Sequence, residues 1–230
     1  MVKMMDQINR DIDQGEPDNV KLIFLGDLID RGKSSKVLLD SFFRLRNKNI
    51  IVLKGNHEAA LVDSYRGNDA AFRFWLEFGG IATLLSYDID AATDEVPDLA
   101  KLRDEMHRKF DPELIDWLDA LPLSYSEGDY FFVHAGIRPG RELAKQLEED
   151  MLWIREPFLN STDDHGKVIV HGHTVSDEDV VLGGTRIGLD TGAHENGRLT
   201  ALGLQDSLQW TVCVETSYRD QTGTLAQKTG

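Results

Sequence analysis

The sequence predicts an α/β protein built around a parallel strand pair. Three observations predict it. Residues 20–25 and 50–53 are short apolar runs separated by an amphipathic stretch at 34–46, the strand–helix–strand order of a βαβ unit. Residues 58–127 read as largely helical. From Tyr130 onward, short apolar runs bounded by turn residues return.

Taken in order, residues 1–12 carry Val2, Met5, Ile8 and Ile12 at helical spacing, and Gly15-Glu16-Pro17-Asp18 stops that helix. A strand follows at 20–25. The helix at 34–46 places Val37, Leu38, Phe42 and Leu45 on one side, and the next strand is 50–53. Helices are expected at 57–65, 69–78, 99–109 and 112–120, with Gly79-Gly80 and the acidic stretch 88–98 as loops. Later strands are expected at 130–133, 168–170, 180–182, 185–189, 199–204 and 208–214. The expected organisation is one domain over 1–216. Within it, 58–127 forms a helical cap between core strands, and 217–230 is a polar tail.

The bulk properties narrow the function. Lys and Arg total 25 against 40 for Asp and Glu, a net charge of -15. That balance opposes binding to nucleic acid or an anionic membrane, since both need positive surface. It leaves room for small phosphorylated substrates, because a local metal site can outweigh the global charge. Cys213 is the single cysteine, so no internal disulfide forms. One thiol fits a reducing cytoplasm, where the protein is expected. No run reaches the roughly 20 apolar residues that cross a bilayer. The first residues lack a signal-type apolar stretch.

The chemistry sits where apolar strands stop. Leu22-Ile23-Phe24-Leu25 runs into Gly26-Asp27-Leu28-Ile29-Asp30-Arg31-Gly32. Ile50-Ile51-Val52-Leu53 leads to Gly55-Asn56-His57-Glu58, Phe131-Phe132-Val133 to His134-Ala135-Gly136, and Val168-Ile169-Val170 to His171-Gly172-His173-Thr174. Side chains at strand ends gather at one edge of a sheet. Asp, Asn and His gathered there can share a divalent cation. Each segment also has a plainer use. Gly-Asp after a strand is a common turn, and Asn56 with Glu58 makes a capped helix start, which leaves His57 without a use. His171 and His173 lie two apart and point the same way if the strand persists, so spacing does not choose between them. His107, His165 and His194 sit in polar contexts and read as surface residues.

In their set and order, the four segments resemble the phosphoprotein phosphatase family of metallophosphoesterases, from about Val20 to Leu204. The similarity is to bacterial serine/threonine phosphatase-like members and to symmetrical dinucleoside-tetraphosphate hydrolases. It implies a sandwich of two mixed sheets flanked by helices, and hydrolysis of a phosphate ester by metal-activated water. It implies Asp27, Asn56, His134 and His173 as metal ligands, with His171 in support. His57 becomes the general acid, with Asp30 as the carboxylate behind it. Arg31, and Arg155 in Trp153-Ile154-Arg155-Glu156, would hold phosphate oxygens. Asp190, in Gly188-Leu189-Asp190-Thr191-Gly192-Ala193, would be a supporting partner. The ions implied are manganese, iron or zinc.

The implied substrate is a phosphorylated protein or a small phosphoester, with no nucleic-acid or membrane partner. A dinucleoside tetraphosphate is the alternative. For that alternative, Phe72, Phe74, Trp75 and Phe78 are base-stacking candidates, although their helical spacing equally suits core packing. The family's Gly-Asp-x-His-Gly segment, expected upstream of Gly26, does not occur in these residues. The expectation is therefore one ion here instead of two, with weakened catalysis, from either a shortened or a degenerate member.

Overall fold

The structure, a computed structural model, describes residues 1–15, 17, 19–46, 49–91, 97–176 and 180–216. Part of the expected turn after the first helix (16 and 18), part of the acidic loop (92–96) and the polar tail (217–230) lie outside the described residues.

The elements run α1 (Val2–Gly15), β1 (Leu22–Phe24), α2 (Ser35–Leu45), β2 (Ile50–Val52), α3 (Asn56–Tyr65), α4 (Asp69–Trp75), a kinked turn at Leu76–Gly80, and α5 (Ile81–Ser86). They continue through α6 (Leu99–Lys109), α7 (Pro112–Asp119), β3 (Ser124–Glu127), β4 (Tyr130–Val133), a 3-10 turn at Leu143–Lys145, and α8 (Glu148–Trp153). Then follow β5 (Val168–His171), β6 (Arg186–Gly188), β7 (Arg198–Gln205) and β8 (Leu208–Glu215).

β1 and β2 pair in parallel, with Ile23 opposite Ile51. β3-β4-β5-β6 form a mixed sheet, antiparallel between β3 and β4 and parallel beyond. β7 and β8 form an antiparallel pair. Among the described residues the strands thus fall into three sheets, of which only the four-stranded one is mixed, where two mixed sheets were implied.

Period-two alternation along the strands explains the layering. Ile23, Ile51 and Leu53 face Phe132 and Val170 across the sandwich, joined by Leu202 and Leu204 of β7. The opposite faces, Phe24, Ile50 and Val52, pack on α2 and the helices α3 to α7. On the far side, Phe131, Val133 and Ile169 pack against Met151, Ile154 and Phe158. Strands covered on both faces read as continuous apolar runs, which is how β1, β2, β4 and β5 appear in the sequence.

The structure differs from the expectations in these places. Residues 180–182 form no strand, and Val181 is exposed, because no neighbouring strand pairs with them among the described residues. The chain does break its helix at Gly79-Gly80, where Gly79 has φ of 124°, but the break is a tight kink that leads directly into α5. β3 and α8 were not anticipated; β3 is polar and half exposed, and α8 is short. α2 buries Ser35, Leu39 and Phe42 and leaves Val37 and Leu45 exposed, since Ser35 must face inward to bond the β1–α2 loop. In α1 it is Met4 that is buried, while Val2 is exposed.

A cavity of about 1240 Å³ is lined by α1, β1 and β7 and runs on to the strand ends that carry the motif residues.

Candidate metal centre and its surroundings

The loop after β1 carries the densest set of unusual backbone angles. Gly26 (φ 93°), Asp27 (53°), Asp30 (73°) and Arg31 (59°) all lie in the left-handed region. Such angles cost energy for non-glycine residues and persist only when neighbours hold them. Gly26 is required for a second reason: a Cβ there would lie 2.6 Å from the backbone nitrogen of Gly55.

Glu58 holds this loop. Its buried carboxylate accepts the N–H groups of Asp27 (2.9 Å), Leu28 (2.7 Å) and Gly55 (2.9 Å), which locks the β1 loop to the start of α3. Burial and the charge of Asp27 push its pKa up to about 7, against the N–H donors that favour the anion.

Four donor atoms meet beside that loop. His134 Nε2 lies 2.8 Å from Asn56 Oδ1, 3.2 Å from His173 Nδ1 and 3.5 Å from Asp27 Oδ1. His173 Nδ1 lies 3.0 Å from Asn56 Oδ1. Ligand atoms of Asp27, His134 and His173 all fall within 4.8 Å of one another. His134 follows β4 directly, and its Nδ1 donates to the Leu25 carbonyl at 2.7 Å, leaving Nε2 as a lone pair aimed at the cluster. Burial, then the neighbouring His134, lowers the pKa of His173 to about 4, so this ring is neutral at pH 7. Burial opposes the charge on Asp27, yet the three surrounding histidines His134, His57 and His173 hold its pKa below the usual carboxylate value. A carboxylate, an amide oxygen and two imidazoles form a donor set that fits a hard-to-borderline divalent ion.

His57 stands beside the cluster, its Nε2 4.0 Å from Asp27 Oδ2 and its Nδ1 2.5 Å from Asp30 Oδ2. Burial disfavours its charge, but the bond to Asp30 and the charges of Asp27 and Asp30 outweigh burial and raise its pKa. The Asp30 carboxylate is fully buried and also accepts from Trp75 Nε1 (2.8 Å) and Thr83 Oγ1 (2.5 Å). Its own N–H is shared between Ser35 Oγ and Thr83 Oγ1. Trp75 and Thr83 come from α4 and α5, far along the chain, and neither carries a motif that would have named it.

The other expected residues are placed as follows. Arg31 and Arg155 line the same cavity as the cluster. The Arg31 Nε donates to the Phe78 carbonyl at 3.3 Å. His171 points away from the donors: its ring meets Phe158 edge-on at 5.0 Å, and burial lowers its pKa to about 4. Asp190 uses Oδ1 to accept the Gly192 N–H, ordering its own turn. His107 is exposed, bonding the Tyr65 carbonyl, and His165 is half-buried. His194 is not a remote surface residue: it lines the cavity and bonds the Arg31 guanidinium. Burial, followed by the Arg31 charge, lowers its pKa. Its neighbours in sequence give no sign of this, since the contact spans the whole molecule.

Phe72 and Trp75 are buried, at 0% and 1% exposure, and are therefore not available to stack on a base. Phe74 and Phe78 lie on the opposite side of the same helical stretch, stacked at 4.1 Å, and both line the cavity.

Known proteins resemble this chain in sequence and in fold. A symmetrical bis(5'-nucleosyl)-tetraphosphatase from Aromatoleum aromaticum is 31% identical over 139 residues, 58% of this chain and 42% of that protein. The chain thus spans about two fifths of that relative. Serine/threonine-protein phosphatase 2 from Salmonella typhimurium is 28% identical over 194 residues, covering 80% of this chain and 79% of that protein. Among solved structures, a candidate diadenosine tetraphosphatase superposes with a TM-score of 0.58 at 19% identity, covering 84% of this chain and 80% of that one, which speaks to fold alone. The sequence profile of the calcineurin-like phosphoesterases matches residues 2–201, most of the 230, and the chain belongs to that family.

Proposed function

We propose that this protein hydrolyses phosphate esters with water at a divalent-metal centre held by Asp27, Asn56, His134 and His173. The observation that carries the reading is four electron-pair donors crowded beside a histidine backed by a buried carboxylate. Lone pairs at that spacing repel one another unless a cation or a shared proton lies among them. When bound, such an ion polarises phosphoryl oxygens and lowers the pKa of a water molecule; manganese, iron and zinc all suit the donors.

The remaining work falls to the chain's own groups. Arg31 and Arg155 offer planar forks to phosphoryl oxygens and hold the phosphorus in line. As the bond from phosphorus to the leaving oxygen breaks, the His57 imidazolium gives that oxygen the proton on Nε2. Asp30 bonds Nδ1, fixes the ring and keeps it charged until the proton is needed. Trp75 and Thr83 hold Asp30 in turn.

Two substrate readings follow. The first is a phosphomonoester on a protein serine or threonine. The second, a dinucleoside tetraphosphate cleaved symmetrically, is favoured by the exposed rings of Phe78 and Trp153 in the same cavity. Net charge -15 speaks against nucleic acid as a partner, and the single thiol fits a reducing cytoplasm. Phosphate release from an aryl phosphate should be measurable in manganese, iron(II) or zinc, and should vanish with chelator and in Asp27→Asn. Lack of metal-dependent release with all three ions would overturn the proposal.

A further inference from the structure

Arg31 is exposed, and a long exposed guanidinium samples many rotamers unless something holds it. Here it is held from two distant parts of the chain. The kinked turn at Leu76–Gly80 supplies one side. Its Gly79 carbonyl accepts the Arg31 backbone N–H at 3.2 Å, and its Phe78 carbonyl accepts the Nε–H at 3.3 Å. The turn between β6 and β7 supplies the other, where Arg31 Nη1 donates to His194 Nε2. That turn is itself fixed. The Gly192 carbonyl accepts the N–H groups of Glu195 (2.9 Å) and Asn196 (2.8 Å), and Asn196 Nδ2 donates to the Thr191 carbonyl at 2.9 Å. His194 thus reaches Arg31 from a braced support.

The chemistry of the contact allows one arrangement. A guanidinium only donates, so Nε2 must carry the lone pair and the ring must be neutral, with its proton on Nδ1. The same Nε2 lies 3.1 Å from Glu195 Oε1, and a carboxylate only accepts. Nε2 therefore serves Arg31 or Glu195, not both. Without a proton it accepts from Arg31. With one it donates to Glu195, and the charged ring then stands against a second cation. Three charged groups act on the ring: Arg31 from the loop after β1, Asp190 just beyond β6, and Glu195 on its own turn. Burial and then Arg31 favour the neutral ring over the pull of the two carboxylates.

Arg31, His194 and Glu195 line the cavity that Asp27, Asn56, His134 and His173 share. We infer that His194 is a positioning residue for the reaction: its neutral ring fixes Arg31 on the cavity wall, ready for an incoming anion, and a proton on that ring releases it. The inference rests on the phosphoesterase reading, in which Arg31 holds the phosphoryl group. It gives the site a dependence on pH. Anion affinity is full above the His194 pKa, which lies below that of an ordinary imidazole, and is lost as the pH falls through it.

Sulfate keeps both its charges across the histidine range and serves as the probe. In calorimetry with manganese, His194→Ala should bind sulfate about ten-fold more weakly than the parent, the worth of one charge-assisted contact. His194→Gln keeps an accepting oxygen and loses the titrating proton, so it should restore the parent affinity. As the pH is lowered from about 8 to about 5, the parent should lose affinity relative to His194→Gln, while all other groups titrate alike in both. In an Arg31→Ala background, His194→Ala should change affinity by less than about two-fold, since it acts through Arg31. In turnover of an aryl phosphate, the ten-fold loss should fall on KM and not on kcat. Melting curves and elemental analysis check that each variant folds and keeps its metal. Parent affinity in His194→Ala, a full loss in the Arg31→Ala background, or parallel pH profiles for the parent and His194→Gln would each overturn the inference. A parent that binds no sulfate would overturn it as well. A parent that binds sulfate but releases no phosphate counts against the phosphoesterase reading alone, because the sulfate measurements still decide whether His194 holds Arg31.

Discussion

At the scale of single residues, His57 separates acid catalysis from metal binding. Its ring touches Asp30 and stands apart from the four donors, so removing it should leave the metal in place. His57→Ala should lower turnover by about 10²–10⁴, the range for one general acid, with metal content near that of the parent. Esters with good leaving groups should lose less, because they need less protonation. Metal loss on this substitution, read by elemental analysis, would show that the ring is a ligand. Glu58 acts differently. It bonds three backbone N–H groups around Asp27 and touches no donor atom of the cluster. Glu58→Gln exchanges one accepting oxygen for an NH₂ group and turns a donor toward a donor. The expected cost is about 1–3 kcal/mol in denaturant titration, together with about 10–100-fold weaker metal binding from the loosened loop. Unchanged metal affinity would mean that the loop holds its shape without Glu58.

At the scale of elements, the turn from α4 into α5 sets the position of Arg31. Gly79 has φ of 124°, and a Cβ there would lie 2.7 Å from Arg31 Cγ and 3.2 Å from its backbone nitrogen. Gly79→Ala should therefore displace Arg31, raise KM for any phosphoester, and destabilise the fold by about 1–3 kcal/mol through backbone strain. Steady-state kinetics with a melting curve tests both parts, and an unchanged KM would show that Arg31 does not hold substrate. The helix break expected at these glycines is present as a kink at Gly79, since Gly-Gly breaks helices. Helix resumes directly beyond the kink as α5, which brings Thr83 to Asp30. The strand expected at 180–182 shows the reverse case. Its residues suit a strand, but strand formation depends on a neighbour to pair with, and composition carries no information about that.

At the scale of the molecule, the described residues hold one such cluster of donors, in a chain of net charge -15. A site of four donors from four strand ends should take up one divalent ion tightly. Because only the folded chain assembles those donors, manganese at a hundred times its Kd should add about 2.7 kcal/mol to stability. A melting titration with elemental analysis checks both claims, and two tightly bound ions per chain would refute the four-donor account.

The strand-end segments were legible by themselves. Apolar runs covered on both faces announce buried strands, and Gly-Asp, Asn-His and His-x-His immediately after them mark one sheet edge. The sequence alone therefore determined the α/β class and the strand–helix–strand start, and it marked Asp27, Asn56, His134 and the His171/His173 pair as strand-end candidates for one site. It did not separate His171 from His173. The tertiary structure did, by turning the chain at His173 (φ 64°) so that one ring faces the donors while the other packs on Phe158. It also assigned Trp75 and Thr83 to Asp30, His194 to Arg31, and Phe74 and Phe78 to the open side of the cavity. Local periodicity records which face of an element is apolar. Which distant element meets that face, and which polar atom is buried there in need of a partner, is decided only when the layers pack.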